Sequence, residues 1–502
     1  EDNLEVWDYP LQKEMKLAGQ SWSVPIIGTF RLKDNTTGAV LDTVKNLRVA
    51  NVPKMTNRFS MLLDGNEYTT MNQFRLKAGI YTRKKANDEL ESQFNLAVGY
   101  NFKMEMDPAA GIFYLFIGAQ KFHLYTLLHA LGTPDNEMLK IWGQQIFDKN
   151  RVAGLNEEGK EIPLMYEKLR RQKFPYDKAL EALKVYLDST RLSIETTEVT
   201  IGKGVDRVTP ETLLLTSGKL LRVMRGEDKE DERDSLVFKN LYTVDDLLKS
   251  YLEKKNPTIV KNLVFRTEHK QKIKEILSPD TYTKAIKEFF TQGDLSNPSP
   301  QTNPVEMLGE WRKTTIAGTG GIQSEHAITY KTRDVHPSHL GFLDPINTPE
   351  SGKVGVTLPL AFHVRKEGDD IKTPIVKLDG KESYITPSEF YKMKIGFPDQ
   401  HNAGKAKHAT VKAMYRGEAT MLKPEEVEAY IAHPNDMFAW TTNLVPFLGN
   451  NSANRALVAA KMVTQSVPLK NPESPLVQVV SETGEPMDQA LGDYLKPKAP
   501  PD

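Results

Sequence analysis

The stretch Arg333–Gly355 carries three prolines, Pro337, Pro345 and Pro349, and three glycines, Gly341, Gly352 and Gly355. Each proline locks φ, removes a backbone donor and pushes the residue before it, here His336, Asp344 or Thr348, toward extended geometry. No helix or strand can run through such a segment, while the glycines let other backbone approach closely. The chain must therefore fold around a rigid, irregular loop with little entropy left to lose on binding. His336 and His339 stand at a metal-ligand spacing, but no Cys and no suitably spaced third ligand accompanies them. The alternative for the pair is hydrogen bonding inside the folded loop.

A second dense segment, Val445–Pro468, contains Pro446-Phe447-Leu448 and then Asn451-Ser452-Ala453-Asn454-Arg455-Ala456-Leu457. Asn451 or Ser452 can cap a helix that Pro468 stops. On that helix Asn454, Lys461 and Gln465 fall near one face, with Arg455 beside them in the first turn. By physics alone, an arginine in a capped first turn is more often structural than functional.

Together the two segments resemble the β subunit of multisubunit DNA-dependent RNA polymerases. Its fork region runs Arg-Asp-Val-His-Pro-x-His into Pro-Ile-x-Thr-Pro-Glu, and its Pro-Phe-Leu segment reaches Ala-Asn-Arg-Ala-Leu. The resemblance implies that Arg455 meets the triphosphate of the incoming nucleotide, that Glu350 belongs to the same centre, that Lys461 and Gln465 lie near the RNA end, and that Asn454 contacts nucleic acid or nucleotide. One departure touches this centre: the acidic pair of the family before Ala-Asn-Arg is Asn451-Ser452 here.

Weaker stretches extend the likeness. Gln301-Thr302-Asn303-Pro304 and Arg312-Lys313-Thr314-Thr315 resemble the β segment that lines the RNA path and binds rifamycins, but at the drug-contacting positions stand Pro300, Glu310 and Thr315. Gly318-Thr319-Gly320-Gly321 lacks the Lys-Ser/Thr of a phosphate-binding P-loop. Asp64-Gly65 between apolar runs is a hairpin signal, because a tight primed turn needs positive φ. From Arg75 to Lys85 the chain carries Arg75, Lys77, Arg83, Lys84 and Lys85 and no acid, either a solvated face or a backbone track on nucleic acid. The likeness assigns Gln73, Arg75, Arg312, Lys313, Arg333, His336 and Lys353 to nucleic-acid contact.

At 502 residues, 39% of them hydrophobic, the chain is long enough for several cores. The expected class is α+β: a multidomain β-like protrusion, lobe and fork. Residues 1–94 form the first part of the protrusion, 95–255 an inserted lobe, 256–305 the second part of the protrusion, and 306–502 the fork with an external elaboration and a disordered tail, Lys496–Asp502. Within the lobe, Ile112–Ile117 reads as a buried strand, Lys121–Leu131 as a helix closed by Gly132, and Glu227–Glu232 as a solvated acidic loop. Lys372–Lys423 holds no motif.

Net charge is zero, so nucleic-acid contact requires local patches or partners. The absence of Cys removes disulfides and fits a reducing cytoplasm, and no long apolar run suggests a membrane. No clustered carboxylates of the Asp-x-Asp-x-Asp kind accompany the two segments, so metal-dependent nucleotidyl transfer would need Mg²⁺ held by a partner. The resemblance names those partners: a chain equivalent to the C-terminal half of β and β′-like chains, with room for a promoter-specificity factor, acting on template DNA, nascent RNA and NTPs. It points to a β subunit split in two, as in giant bacteriophages, or to a piece of an undivided one. A non-catalytic scaffold or decoy built on the same fold is the competing class.

Overall fold

The structure is a computed structural model and describes residues 9–495 apart from 57, 86, 156, 271, 399–409, 468, 472, 474 and 481–483. The expected disordered tail Lys496–Asp502 and the helix stop at Pro468 lie outside the described residues. The chain divides into two compact units, one formed by Glu1–Arg75 with Asn240–Asp502 and the other by Leu76–Lys239.

The inserted unit begins and ends earlier than expected. Gly79–Lys84 pairs antiparallel with Leu90–Asn95, which pairs in turn with Phe102–Asp107, so a boundary at residue 94 would cut a continuous sheet. The sheet continues through Ile112–Ile117 and Gln120–His123. At the other end, a junction at residues 255 and 256 would fall inside the helix Val244–His269. Burial alternates along Ile112–Ile117, as a period of two requires, and the inward Phe113 meets Trp142 at a ring separation of 5.2 Å. The helix expected over Lys121–Leu131 starts only at Leu124, because Gln120–His123 turns back across Gly118 (φ +63°) to pair with Tyr114–Ile117. Six further helices between Asp135 and Met224 close over the sheet.

Two charge readings change in this unit. The acidic tract is not a purely solvated loop: Asp231 is buried, pairs with Lys219 at 2.6 Å and accepts a hydrogen bond from the Thr82 N–H at 2.7 Å. Burial pushes its carboxyl up, with Lys219 opposing. In the basic run, Lys77 is buried, Arg83 pairs with Glu91 at 2.6 Å, Lys84 with Asp88 at 2.7 Å and Lys85 with Glu105 at 2.7 Å. Acids elsewhere in the unit neutralise what looks like an open basic row.

The other unit carries every candidate site residue. Its hairpin at Asp64-Gly65 joins Met61–Leu63 to Asn66–Thr70, with φ +49° and +79° at the two turn residues, as a primed turn demands. Strand Asn72–Leu76 lies parallel to Lys313–Thr315, which lies antiparallel to Thr357–Pro359. The motif-free region contributes to a seven-stranded sheet that runs from Arg365–Glu367 at one edge to Glu418–Leu422 at the other, with Ala429–Ile431 in its interior. Between Arg333 and Thr357 the only regular element is a 3-10 turn, Pro337–His339, and Ala453–Thr464 is a helix with Ser452 at its N-cap position.

Candidate nucleic-acid interface

The irregular loop is held by its own polar groups. Asp344, fully buried, accepts from the N–H groups of Ile346 (2.8 Å), Asn347 (3.2 Å) and Ala439 (2.9 Å) and from the Thr442 hydroxyl (2.5 Å). One carboxylate thus ties the loop to the segment that leads into the second dense region. Burial pushes the Asp344 carboxyl above the ordinary range, against the pull of these four donors. Arg333 closes the loop end by donating to the carbonyls of Gly352 (2.6 Å) and Val354 (3.0 Å). Gly355 is required there: its φ is +69°, and a Cβ would stand 2.1 Å from the Arg333 carbonyl oxygen. The Nδ1 of His336 accepts from the Ser338 N–H at 3.1 Å, which makes it the N-cap of the 3-10 turn.

A second joint aligns two helices. Asn303 caps Pro304–Arg312 by accepting from the Val305 N–H at 2.9 Å. Its amide also donates to the carbonyls of Val463 and Thr464, both at 2.9 Å, at the end of Ala453–Thr464. Carbonyls that a helix end leaves without intrahelical partners are thereby satisfied. Below them a small core of Phe59, Leu308 and Leu491, flanked by Trp311 and Trp440, fixes the first helix.

These joints leave a cleft of about 220 Å³ lined by Leu308, Glu310, Arg312, Lys313, Glu350, Trp440 and Lys461 among others. Its floor is apolar, while charges cross it in pairs. Lys461 meets Glu350 at 3.2 Å and Lys313 meets Glu310, so the two dense sequence segments touch through an ion pair. Glu310 and Lys313 also line an adjoining hollow with Pro300, Pro349 and Lys353. Thr315 is buried in the strand and accepts from the Ala317 N–H at 3.1 Å.

The expected site residues therefore separate into three groups. Lys313, Glu350 and Lys461 converge on the cleft, and Lys353 lies beside it. Asn454, Arg455 and Gln465 are exposed along the second helix and are not among the residues lining the cleft. Arg312, which also lines the cleft, and Arg333, His336, Gln73 and Arg75 are engaged by the protein's own polar groups. Arg312 donates to the Ala361 carbonyl at 2.6 Å. Gln73, fully buried, donates to the Ala317 carbonyl at 2.8 Å and accepts from Arg75 Nε at 2.8 Å. The Arg75 guanidinium lies 4.5 Å from the Tyr242 ring centre and donates to the Thr319 carbonyl at 3.2 Å. It also fills the glycine turn: a Cβ on Gly320 would stand 2.5 Å from its central carbon.

Sequence reasoning missed Asp344 and Asn303 as organisers. For Asn303 a signal existed, since Asn followed by Pro is a helix-start pattern. For Asp344 the signal is only half local: an Asp can accept from N–H groups two and three residues on, as it does from Ile346 and Asn347, but Ala439 and Thr442 lie more than ninety residues away.

Among the described residues, no group of three or more His, Asp or Glu side chains is placed to hold a metal ion, and no helix is long and apolar enough to cross a membrane. The family described as RNA polymerase Rpb2, domain 3, matches residues 298–365, which hold the helix Pro304–Arg312 and the irregular loop. The chain is 28% identical over 94% of its length to the DNA-directed RNA polymerase subunit beta of Gloeobacter violaceus, covering 45% of that protein. It is 26% identical to that of Parasynechococcus marenigrum over 95% of the chain and 47% of the relative. The figures for Prochlorococcus marinus are 26% identity, 96% of the chain and 47% of the relative. The chain spans about half the length of these curated relatives. The matched domain and these relatives make the chain similar to a part of the β subunit of DNA-directed RNA polymerases, a likeness with which its mixture of helices and several sheets is consistent.

Proposed function

We propose that this chain supplies the N-terminal region of a β-type subunit, its inserted unit corresponding to the lobe and the remainder to protrusion and fork. In this reading it holds the RNA–DNA hybrid and the phosphates of the incoming nucleotide. The observation that carries it is the Lys461–Glu350 pair: it joins the fork-like loop to the helix that displays Arg455, the two segments with the densest family likeness. Arg455 then acts on the triphosphate as a planar fork of donors, which an ammonium cannot reproduce. Mg²⁺ belongs to a β′-like partner, where it would stabilise the attacking and leaving oxygens of the displacement. The other partners are a chain equivalent to the C-terminal half of β, template DNA, nascent RNA and NTPs, in the cytoplasm.

The test is reconstitution. The purified chain alone should make no RNA with any divalent metal, while chains that copurify with it, identified by mass spectrometry, should restore template-directed synthesis. RNA synthesis by the single chain, or copurification without polymerase chains, would refute the reading. The same assay reports on drug response. Rifamycins need polar partners where Pro300, Glu310 and Thr315 stand. Pro300 has no side-chain donor or acceptor, Glu310 is paired to Lys313, and Thr315 is buried. Losing several hydrogen bonds at roughly 1–3 kcal/mol each weakens binding by orders of magnitude. The assembled enzyme should keep its activity at micromolar rifampicin; submicromolar inhibition would show the drug site intact.

A further inference from the structure

The cleft's cations divide by what occupies them. Arg312 donates to the Ala361 backbone carbonyl, and a phosphate cannot take that place without leaving the carbonyl unsatisfied. Lys313 and Lys461 instead face carboxylates on the same cleft, and all four side chains reach solvent: Lys313 is 32% exposed, Glu310 20%, Lys461 28% and Glu350 56%. Partly exposed pairs of this kind are held weakly, and a carboxylate can rotate away into water. An incoming phosphate offers the same lysine an oxygen acceptor with no loss of pairing. The two carboxylates also repel a polyanion for as long as they remain beside the lysines.

We propose that Glu310 and Glu350 are internal counter-ions of this cleft, giving up Lys313 and Lys461 to the backbone phosphates of a single-stranded nucleic acid and thereby setting how tightly, and at what salt, the strand is held. The proposal rests on the nucleic-acid reading of the site and adds a regulatory role for two acids. Exchange makes the seat self-neutralised: off-target polyanions meet a cleft of no net attraction, and a strand held elsewhere along the chain replaces the carboxylates one at a time. Removing one carboxylate spares its lysine the exchange and tightens binding without changing the number of lysine–phosphate contacts, whereas removing one lysine deletes a contact, about 0.7 in the slope of log affinity against log salt for a single strand.

The experiment is fluorescence anisotropy of a short labelled oligouridylate, with its oligodeoxyuridylate equivalent as a second probe, titrated with the full chain at several salt concentrations. Glu310→Gln and Glu350→Gln should each tighten binding several-fold at low salt while leaving the salt slope close to that of the wild type. Equal gains for the two probes are expected for backbone recognition. Glu425→Gln, an exposed acid outside the cleft lining, controls for the change in overall charge and should leave both readouts where they are. Lys313→Gln and Lys461→Gln should weaken binding and flatten the slope, with thermal melting confirming that each variant is folded. Wild-type binding that Glu310→Gln and Glu350→Gln leave unchanged, or that Glu425→Gln raises equally, would overturn the counter-ion role while leaving the nucleic-acid reading standing. No binding by any form would overturn both.

Discussion

The loop Arg333–Gly355 and the helix Ala453–Thr464 each carry an arginine near their start, and the fold uses the two in opposite ways. Arg333 is turned inward onto the carbonyls of Gly352 and Val354, where it closes the loop. Arg455 stands exposed in the first turn of its helix. The loop spends its polar groups on its own rigidity, whereas the helix leaves Asn454 and Arg455 exposed and is positioned from its far end by Asn303. The same residue type thus marks architecture in one place and an available contact in the other, and the distinction lies in whether backbone carbonyls lie within reach.

The largest expected effect that sharpens this contrast is at Asp344. Asp344→Ala leaves the buried Ala439 N–H and Thr442 hydroxyl and the half-buried N–H groups of Ile346 and Asn347 without their acceptor, which should cost about 3 kcal/mol. Urea unfolding would register this as a lower midpoint, and an effect below about 1 kcal/mol would break the view of the loop as internally anchored. A pH dependence follows from the raised proton affinity of this carboxyl. The folded chain binds the proton more tightly than the unfolded one, so the group's contribution to stability is greatest at low pH. It declines as pH rises through the ordinary carboxylate range toward the folded-state value. Over that window the advantage of the wild type over Asp344→Asn should narrow, and an advantage that widens with pH would show the opposite shift.

A smaller loss is expected at Arg333. Arg333→Ala removes two hydrogen bonds from a charged donor and should lower stability by roughly 1–3 kcal/mol, visible as a reduced Tm of the isolated chain. A variant with unchanged melting but weakened nucleic-acid binding would move Arg333 into the group that contacts ligand.

The division between what the sequence makes legible and what it hides follows the same line. Pro337, Pro345, Pro349 and the glycines announce an irregular loop, Asp64-Gly65 announces a hairpin, and Ala453–Thr464 announces a helix, because each signal is local in the chain. The pairings that build the site are not local. Asp344 with Thr442, Asn303 with Val463, and Lys461 with Glu350 are joined by tertiary packing, which periodicity and capping rules do not encode. The basic run after Arg75 misleads for the same reason: Glu91 and Glu105, which neutralise Arg83 and Lys85, sit on neighbouring strands of the inserted unit. Strand pairing, not composition, decides where that unit starts, since Gly79–Lys84 is joined to Leu90–Asn95 in one sheet.

The smallest effect on stability and the most informative effect on function meet at Arg455. Being exposed, Arg455→Ala should change the Tm of the chain by no more than about 0.5 kcal/mol equivalent and leave assembly intact. In the assembled enzyme, steady-state elongation measured against nucleotide concentration should show kcat/KM falling about ten- to a hundredfold, the loss of a charge-assisted contact of roughly 1.5–3 kcal/mol, with Lys restoring only part of it. An unchanged kcat/KM in an enzyme that assembles normally would contradict the account.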